Sequence, residues 1–568
     1  MNVVSAVKLY VTKMTEESGP GMKILLMDKQ TTSIVSMVYS QSEILQKEVY
    51  LFERIDSGGT LETMKHLKCI TFLRPTKENI ALLSKELRHP KYGAYYIYFS
   101  NIIAKSDIKT LAESDEFEVV REIQEFYGDY LSIGPHVFSL NIPFCAQALS
   151  WNPVHLTRSV QGLIAALLSL KKCPFIRYQV SSEMAKRLAD KVREVLSKEE
   201  KLFEFRQQDP APLLLILDRR DDPITPLLSQ WTYQAMVHEL LTITNNRVNL
   251  SHIPGISKEL KEVVLSAEND EFYSENLYLN YGEIGQTMKR LMDEFQTKAK
   301  SHQKVESIAD MKTFVENYPQ FKKMSGTVSK HIAVISELSS LVSKRNLLEV
   351  SEIEQELSCQ NQHSQQLQRI RSLIQNSKLR DEEACRLVML YALRYKKHSN
   401  NDITGLVDAL KKRGIPEEKF KLVHNILEYS LQDIVVDNIV SQETVAKITK
   451  RLFKDLKGVE NVYTQHIPLI KETLEDLIKG RLKESTFPYL GTATAAKRVQ
   501  DVVVFMIGGI TYEESLAVCQ LNHNSMNGGV RIVLGGTYVH NSQSFLEEVS
   551  QATLGLPSSY RSHRFNRN

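Results

Sequence analysis

The stretch Leu213-Leu-Leu-Ile-Leu-Asp-Arg-Arg-Asp-Asp-Pro-Ile-Thr-Pro-Leu-Leu228 sets the fold class of this chain. It opens on an uninterrupted apolar run, which is typical of a parallel strand covered on both faces of an α/β sheet. The run ends in a charged turn that contains two prolines. Open α/β folds bind their ligands at the carboxyl edge of such strands, so Asp218 and Arg219 are the first candidates for a functional site.

Length and composition limit the class of protein. A chain of 568 residues is too long for one core and should divide into about two to four domains. The formal net charge is only +3, which gives no general field for nucleic acid. The six cysteines are scattered without a C-x-x-C pair, which argues against a zinc site and against a disulfide framework. A reducing, cytosolic environment fits this pattern best.

The apolar segments of the sequence are expected to pack in the protein and not to enter a membrane. Residues 1–17 have apolar side chains at helical spacing, which favours a packed amphipathic helix over a signal peptide. The longest apolar runs, such as 502–510, are about half of the ~20 residues that a membrane span needs. The tail 558–568 is polar and is most simply a frayed end.

Residues 1–129 are predicted to form a first α/β domain. Apolar runs at 24–27, 49–52, 70–73 and 95–99, with a looser fifth at 130–140, recur at a spacing of roughly 25 residues that is typical of βαβ units. The turn after the first run lacks the glycines of a dinucleotide site, and the chain has no G-x-x-x-x-G-K-[ST]. The sequence therefore gives little support to nucleotide binding.

A second α/β domain is predicted to be discontinuous, formed by 130–245 and 485–568. The runs 501–507 and 530–534 each lead to a glycine pair and supply strands to the sheet of 213–218, and 544–547 has the pattern of a capping box. Residues 246–484 are predicted to be a mainly helical third domain. Its apolar stripe Val328, Ile332, Ile335, Leu338 and Val342 fits either a core-facing side or a groove-binding face.

Motifs for catalysis are weak. No G-x-S-x-G occurs, and His238-Glu239 lacks the second histidine of H-E-x-x-H. Asp218, Asp221 and Asp222 are able in principle to hold a hard cation, but adjacent arginines and the two prolines favour a structural turn. Close backbone packing is the simpler account of the pairs Gly508-Gly509 and Gly535-Gly536.

The segment Leu217-Asp-Arg-x-x-Asp-Pro-Ile-Thr-Pro-Leu-Leu228, with Trp231-Thr-Tyr-Gln-Ala-Met236, resembles the SM family, the cytosolic partners of syntaxin-type SNARE proteins in vesicle fusion. Segments 25–28, 31–35, 50–55, 72–76, 315–321 and 505–511 are similar to the same family, in particular to its vacuolar protein sorting branch. The resemblance covers essentially the whole chain. It implies an arch of two parallel-sheet α/β domains with a large helical domain inserted into the second.

The resemblance also implies a site for the amino-terminal peptide of a syntaxin on domain one. By position it falls on 107–111 and on a following helix over 119–125. Ile108, Leu111, Val120 and Ile123 would accept an apolar side chain, and Glu125 would pair with a basic residue of the peptide. The alternative, that these apolar residues face the sheet, has the same spacing.

A second implied site is a helical hairpin of domain three, about 312–350, that contacts SNARE helices. Tyr318-Pro-Gln-Phe321 is expected to open the hairpin, and Pro319 to bend or break its helix. Pro319, Val328, Ile332 and Ile335 are the predicted contacts with the SNARE bundle.

The function that the resemblance implies is that of a non-enzymatic SNARE chaperone of the endosomal and trans-Golgi pathway, without a cofactor. Its partners would be a syntaxin-type Qa-SNARE and the SNARE complex, with endosomal tethers or effectors as further candidates. The chain would be cytoplasmic and reach endosome and trans-Golgi membranes only through the SNARE. Two rivals are an α/β enzyme that binds a nucleotide or phosphorylated metabolite at the Asp218 edge, and a tethering scaffold without SNARE contact.

Overall fold

The computed structural model describes residues 1–57, 62–206, 208–303, 308–360, 362–431, 463, 465–491, 499–524 and 528–556. Its contacts divide the chain into two compact units. Unit 1 comprises Met1–Arg219, Ile470–Ile510 and Glu514–Val539, and unit 2 comprises Arg220–Leu469, Thr511–Glu513 and His540–Asn568. The three-domain boundaries drawn from the sequence stay a prediction, and the predicted frayed tail lies outside the described residues.

The strands are β1 (Lys23–Met27), β2 (Val49–Arg54), β3 (Met64–Leu73), β4 (Tyr92–Phe99), β5 (Val120–Glu125), β6 (Leu131–Gly134), β7 (Val137–Ser139), β8 (Ala146–Gln147), β9 (Ser150–Trp151), β10 (Phe175–Tyr178), β11 (Leu213–Asp218), β12 (Arg247–Asn249), β13 (Glu262–Val264), β14 (Asp501–Ile507) and β15 (Arg531–Gly536).

The helices are α1 (Val3–Glu17), α2 (Lys29–Val38), α3 (Gln41–Leu45), α4 (Lys77–Arg88), α5 (Lys105–Ser114), α6 (Pro153–Ser169), α7 (Glu183–Lys198), α8 (Tyr233–Leu240), α9 (Glu271–Asn276), α10 (Tyr281–Gln303), α11 (Ile308–Lys344), α12 (Leu347–Cys359), α13 (His363–Ile374), α14 (Asp381–Tyr395), α15 (Ile403–Lys412), α16 (Glu417–Phe420), α17 (Leu422–Tyr429), α18 (Leu469–Ile478), α19 (Tyr512–His523) and α20 (Ser542–Ala552).

The first sheet of unit 1 has the order β2-β1-β3-β4-β5, and all of its neighbouring strands are parallel. The first four apolar runs of the sequence form β1 to β4, as predicted. The fifth assignment is wrong, because 130–140 forms the antiparallel pair β6–β7 at the edge of the other sheet. The true fifth strand is β5.

The prediction of a helix over 119–125 is also wrong. The backbone of Val120–Glu125 pairs with β4 and forms the edge strand of the first sheet. Asp115 directs the chain into this strand, since its carboxylate accepts hydrogen bonds from the backbone N–H groups of Val119 and Val120 at 2.9 and 3.0 Å. A segment this short carries apolar residues compatible with either period, so its pairing partner decides its conformation.

The second sheet of unit 1 has the order β10-β11-β14-β15-β7-β6. Its strand β11 is buried at every residue and pairs in parallel with β10 on one side and β14 on the other. The predicted pairing of distant runs with 213–218 is therefore confirmed. The capping box of α20 lies elsewhere than predicted, because Asn541 and Ser544 form it.

The two glycine pairs are packing and turn features. A Cβ atom on Gly535 would lie 2.1 Å from Cζ of Phe138, and one on Gly536 would lie 2.9 Å from Cγ2 of Ile510. Gly508 and Gly509 adopt φ values of 83° and 90°, which residues other than glycine rarely adopt. Close backbone packing is thus the observed reason for the second pair, and turn conformation for the first.

Unit 2 is mainly helical, and one of its apolar clusters takes residues from α8 to α12 and from β12 and β13. Among the helices of unit 2 that the structure describes, α11 is the longest and runs without interruption from Ile308 to Lys344. Tyr318 and Pro319 lie within this helix, so the prediction that 318–321 opens the hairpin is wrong. Pro319 does not break its helix, and a bend at Pro319 stays a prediction. The backbone of Pro319 is helical, and its side chain lies outside the described residues.

Candidate functional site

The residues predicted for the peptide site lie on α5 and on the edge strand β5. Ile108 on α5 is 37% exposed, whereas Leu111, about one turn later, is 1% exposed and belongs to the core of the first sheet. Val120 and Ile123 are partly buried and pack against the same core. Leu111, Val120 and Ile123 thus share one core, whereas Ile108 keeps more than a third of its surface exposed to a partner.

Glu125 already has protein partners at this surface. Its Oε1 accepts a hydrogen bond from the backbone N–H of Ile103 at 2.8 Å, and its Oε2 accepts one from the hydroxyl of Tyr127 at 2.6 Å. Burial, followed by the contact with Glu125, raises the pKa of Tyr127 well above its ordinary value. The Tyr127 hydroxyl therefore stays protonated and donates to the Glu125 carboxylate. A basic residue of a peptide would share this carboxylate with Tyr127 and Ile103.

Sequence reasoning missed two features of this surface. Phe117, in the connection between α5 and β5, is 61% exposed. Residues 113–125 also carry six carboxylates and a single basic residue, Arg121. The signal was present in the sequence as an acidic run around one aromatic residue, and it makes this surface suited to a ligand with both apolar and basic groups.

The predicted contacts on α11 divide into inward and flanking residues. Val328 is 5% exposed and lies in the apolar cluster of unit 2, so it is a core residue in this conformation. Ile332 and Ile335 are only partly buried and pack along the margin of that cluster. The core-facing alternative therefore describes Val328, while the flank with Ile332 and Ile335 keeps accessible surface.

The Asp218 edge is closed by side-chain contacts. Asp218 accepts a hydrogen bond from the hydroxyl of Ser182 at 2.5 Å, and its backbone N–H donates to Oε1 of Gln179 at 3.1 Å. Arg219 has no exposed surface and forms a bidentate ion pair with Glu514, while its Nε donates to the carbonyl of Gly509 at 3.1 Å. Both side chains hold the scaffold together, as expected of a structural turn.

Metal ligands and membrane spans are missing from the part of the chain that the structure describes. Within the described ranges there is no group of three histidine, cysteine or acidic side chains that would hold a metal ion. Among the helices that the structure describes, none is long and apolar enough to cross a bilayer.

Comparison with known proteins identifies the family. A model described as the Sec1 family matches residues 23–548. The chain belongs to the Sec1 family. The vacuolar protein sorting-associated protein 45 of Mus musculus is 64% identical to this Sec1 family member over 550 residues, which cover 97% of this chain and 96% of the relative.

Solved structures of the SM protein Vps45 have the same fold. One of them, in complex with the Qa SNARE Tlg2, is 47% identical and superimposes with a TM-score of 0.91 over 98% of this chain and 100% of that chain. Another, of Vps45 itself, is 45% identical with a TM-score of 0.87 over 98% and 99% of the two chains. This Sec1 family member therefore has the SM protein fold, with parallel-sheet α/β parts and many helices.

Proposed function

We propose that this chain is a SNARE-binding regulator of vesicle traffic in the endosomal and trans-Golgi pathway. The observation that carries the proposal is the match over nearly the whole chain to an SM protein solved in complex with a Qa SNARE, at 47% identity and a TM-score of 0.91. The match covers 98% of this chain and 100% of that chain. The expected partners are a syntaxin-type Qa-SNARE and the SNARE complex that it forms.

The proposed mechanism uses binding free energy alone. One surface of the chain captures the amino-terminal peptide of the Qa-SNARE, and another holds SNARE helices in register, which lowers the barrier to their assembly. No catalytic step and no cofactor enter this scheme, so we infer that the chain is not an enzyme. The membrane is reached through the SNARE, and endosomal tethers or effectors are further partners to test.

The α5–β5 surface supports the first part of this mechanism. Ile108 and Phe117 supply exposed apolar area, and residues 113–125 carry six carboxylates and one basic residue. An amino-terminal peptide carries a positively charged amine in addition to any basic side chains. Such a peptide would place an apolar residue against Ile108 and its basic groups towards the acidic run.

Helix α11, which contains most of the predicted hairpin 312–350, supports the second part. It packs on α10, and the rings of Phe295 and Phe321 stack with their centroids 5.2 Å apart. Ile332 and Ile335 on the flank of α11 are the proposed contacts for SNARE helices. Val328 would take part only by supporting that flank from the core, and Pro319 remains a predicted contact.

The peptide surface is tested by the substitution Ile108→Arg. We expect the affinity for an amino-terminal peptide of an endosomal syntaxin to fall at least tenfold, or about 1.4 kcal/mol, because an arginine displaces the apolar contact. Isothermal titration calorimetry measures this change. The matched control is Val154→Arg, since Val154 is a 71% exposed apolar residue on α6 and its replacement should leave peptide binding unchanged. Equal affinity of the Ile108→Arg variant and the unaltered chain would show that the peptide binds elsewhere.

A further inference from the structure

The inward face of α11 contains one polar residue in an apolar stripe. Val328, Val334, Leu338 and Val342 are each at most 5% exposed and lie in the core cluster of unit 2. His331 lies between them at helical spacing and has no exposed surface. A polar group in such a position is costly unless its hydrogen bonds are made, so its partners matter.

Both ring nitrogens of His331 have partners. Nε2 lies 2.9 Å from Oδ2 of Asp270, and Nδ1 lies 2.7 Å from the hydroxyl of Tyr233. A carboxylate only accepts, so Nε2 carries the proton and donates to Asp270, while Nδ1 accepts from Tyr233. Burial lowers the pKa of His331 below its ordinary value, although the contact with Asp270 opposes this, and the ring is neutral as the network requires.

The partners of His331 are themselves fixed. Asp270 is the N-cap of α9 and accepts a hydrogen bond from the backbone N–H of Tyr273 at 2.9 Å. Lys330, next to His331, forms an ion pair with Asp270 and donates to the carbonyl of Val264 at 2.9 Å. Two consecutive residues of α11 are thus tied to α8, α9 and β13.

Hydrogen bonds of this kind fix the rotation and position of a helix, which an apolar stripe alone leaves undetermined. Aliphatic side chains of similar size tolerate a small rotation or shift of a helix, because the area that they bury changes little. A buried polar residue loses both of its hydrogen bonds in the wrong arrangement, which is how a single polar position fixes the register of a coiled coil. His331 is the corresponding buried polar residue in the apolar stripe of α11.

We propose that His331 is a positioning residue that fixes the rotation of α11 about its axis and so determines that the flank with Ile332 and Ile335 is the one presented to a SNARE helix. The presentation to a SNARE rests on the proposed function. The rotational role rests only on the contacts with Tyr233 and Asp270.

The test replaces His331 by leucine, which fills a similar volume without hydrogen bonds. We expect the His331→Leu protein to fold, to bind the amino-terminal peptide as the unaltered protein does, and to bind the SNARE complex at least tenfold more weakly. The matched control is Val334→Ala, which removes apolar volume from the same stripe and keeps the hydrogen bonds. It should lower the thermal midpoint without changing the SNARE affinity. If His331→Leu binds the SNARE complex with unaltered affinity, the presentation of this flank does not depend on His331.

A conservative variant guards against misfolding of the leucine protein. The amide of His331→Gln both donates and accepts, so it is able to keep a bond to Asp270 and one to Tyr233. We expect the His331→Gln protein to bind the SNARE complex more tightly than the His331→Leu protein does. If the His331→Leu protein does not fold, the His331→Gln protein should bind with an affinity within threefold of that of the unaltered protein. A folded His331→Gln protein that binds as weakly as His331→Leu would overturn a role based on these two hydrogen bonds.

A further readout tests the rotation without any SNARE. In a sample with labelled isoleucine δ1 methyl groups, the signals of Ile332 and Ile335 should shift or split in the His331→Leu protein. The signal of Ile426 on α17, which has no exposed surface, should not move. Unchanged signals of Ile332 and Ile335 would overturn the rotational role. If the signals change but no SNARE binds even the unaltered protein, the proposed function fails while the role of His331 in placing α11 stands.

Discussion

At the scale of single residues, charged side chains in the interior are held by several partners. Asp129 has no exposed surface, and its carboxylate accepts from Arg74 at 2.9 Å, from Arg158 at 3.2 Å and from Asn101 at 2.8 Å. Burial lowers the pKa of Arg158 to about 10, although Asp129 opposes this change. Arg158 therefore remains charged at neutral pH, and the group serves as a structural connection within unit 1.

The surroundings of His331 give a prediction for pH at this scale. Its pKa is lowered in the folded protein, so its contribution to stability is present above the unfolded value of about 6.5 and is lost as the pH falls towards the folded value. The ring faces Asp270, Lys330 and Tyr233, and the ring of Tyr273 stacks on it. Burial opposes ionisation of Asp270, but the contacts with His331 and Lys330 outweigh it and hold the pKa of this carboxyl well below its ordinary value. Asp270 therefore stays ionised through this window.

We expect the apparent thermal midpoint of the unaltered protein to fall more steeply between about pH 7.5 and 5.5 than that of the His331→Leu protein. The difference in the free energy of unfolding should approach ~1.4 kcal/mol for each pH unit between the unfolded and the folded pKa. Differential scanning calorimetry of both proteins in matched buffers measures it. Parallel curves would mean that His331 binds a proton in the folded state as readily as in the unfolded chain.

At the scale of elements, the packing of α6 depends on a glycine. A Cβ atom on Gly162 would lie 2.3 Å from Cδ2 of Leu140 and 2.8 Å from Nη1 of Arg158. Leu140 is 4% exposed and has little room to move. The glycine therefore allows a close approach that outweighs its low helix propensity.

We expect Gly162→Ala to destabilise the protein by about 1–3 kcal/mol, because the added methyl overpacks this contact. The matched control is Gly326→Ala in α11, where a Cβ would meet nothing within 4 Å. That change should stabilise the helix by up to about 1 kcal/mol, since alanine is the better helix former. Urea unfolding of the two variants measures both effects, and a stabilised Gly162→Ala protein would show that Leu140 is able to move aside.

At the scale of the whole molecule, the two proposed binding surfaces belong to different compact units. The α5–β5 surface lies in unit 1, and the α11 flank lies in unit 2. Each surface is formed by residues of its own unit and has its own core beneath it. The two should therefore respond independently to substitution.

We expect the losses of binding free energy for Ile108→Arg and Ile335→Arg to add in the double variant within about 0.5 kcal/mol. The reason is that the two residues lie in separate units and pack against separate cores. A double-mutant cycle with a full-length Qa-SNARE in its complex measures the sum. A coupling free energy well above that value would mean that occupation of one surface changes the other.

Long, regular sequence patterns were enough to predict several strands of this protein and its family. Uninterrupted apolar runs identified β1 and β11. The pairing of β11 with β14 was predicted because 501–507 is an apolar run of the same kind, far along the chain. Family membership was also readable, since motifs along the whole chain carry it. These features are predictable because burial on both faces of a strand requires the same kind of side chain in any context.

The short and the polar features depended instead on tertiary contacts. The segment of β5 became a strand because β4 offered it backbone partners, and Glu125 was found already bonded to Ile103 and Tyr127. His331 gave no sign in the sequence of its role, because its partners Tyr233 and Asp270 come from distant parts of the chain. The physical reason is that hydrogen bonds and edge pairing depend on groups brought together by folding, whereas apolar periodicity is a property of each segment alone.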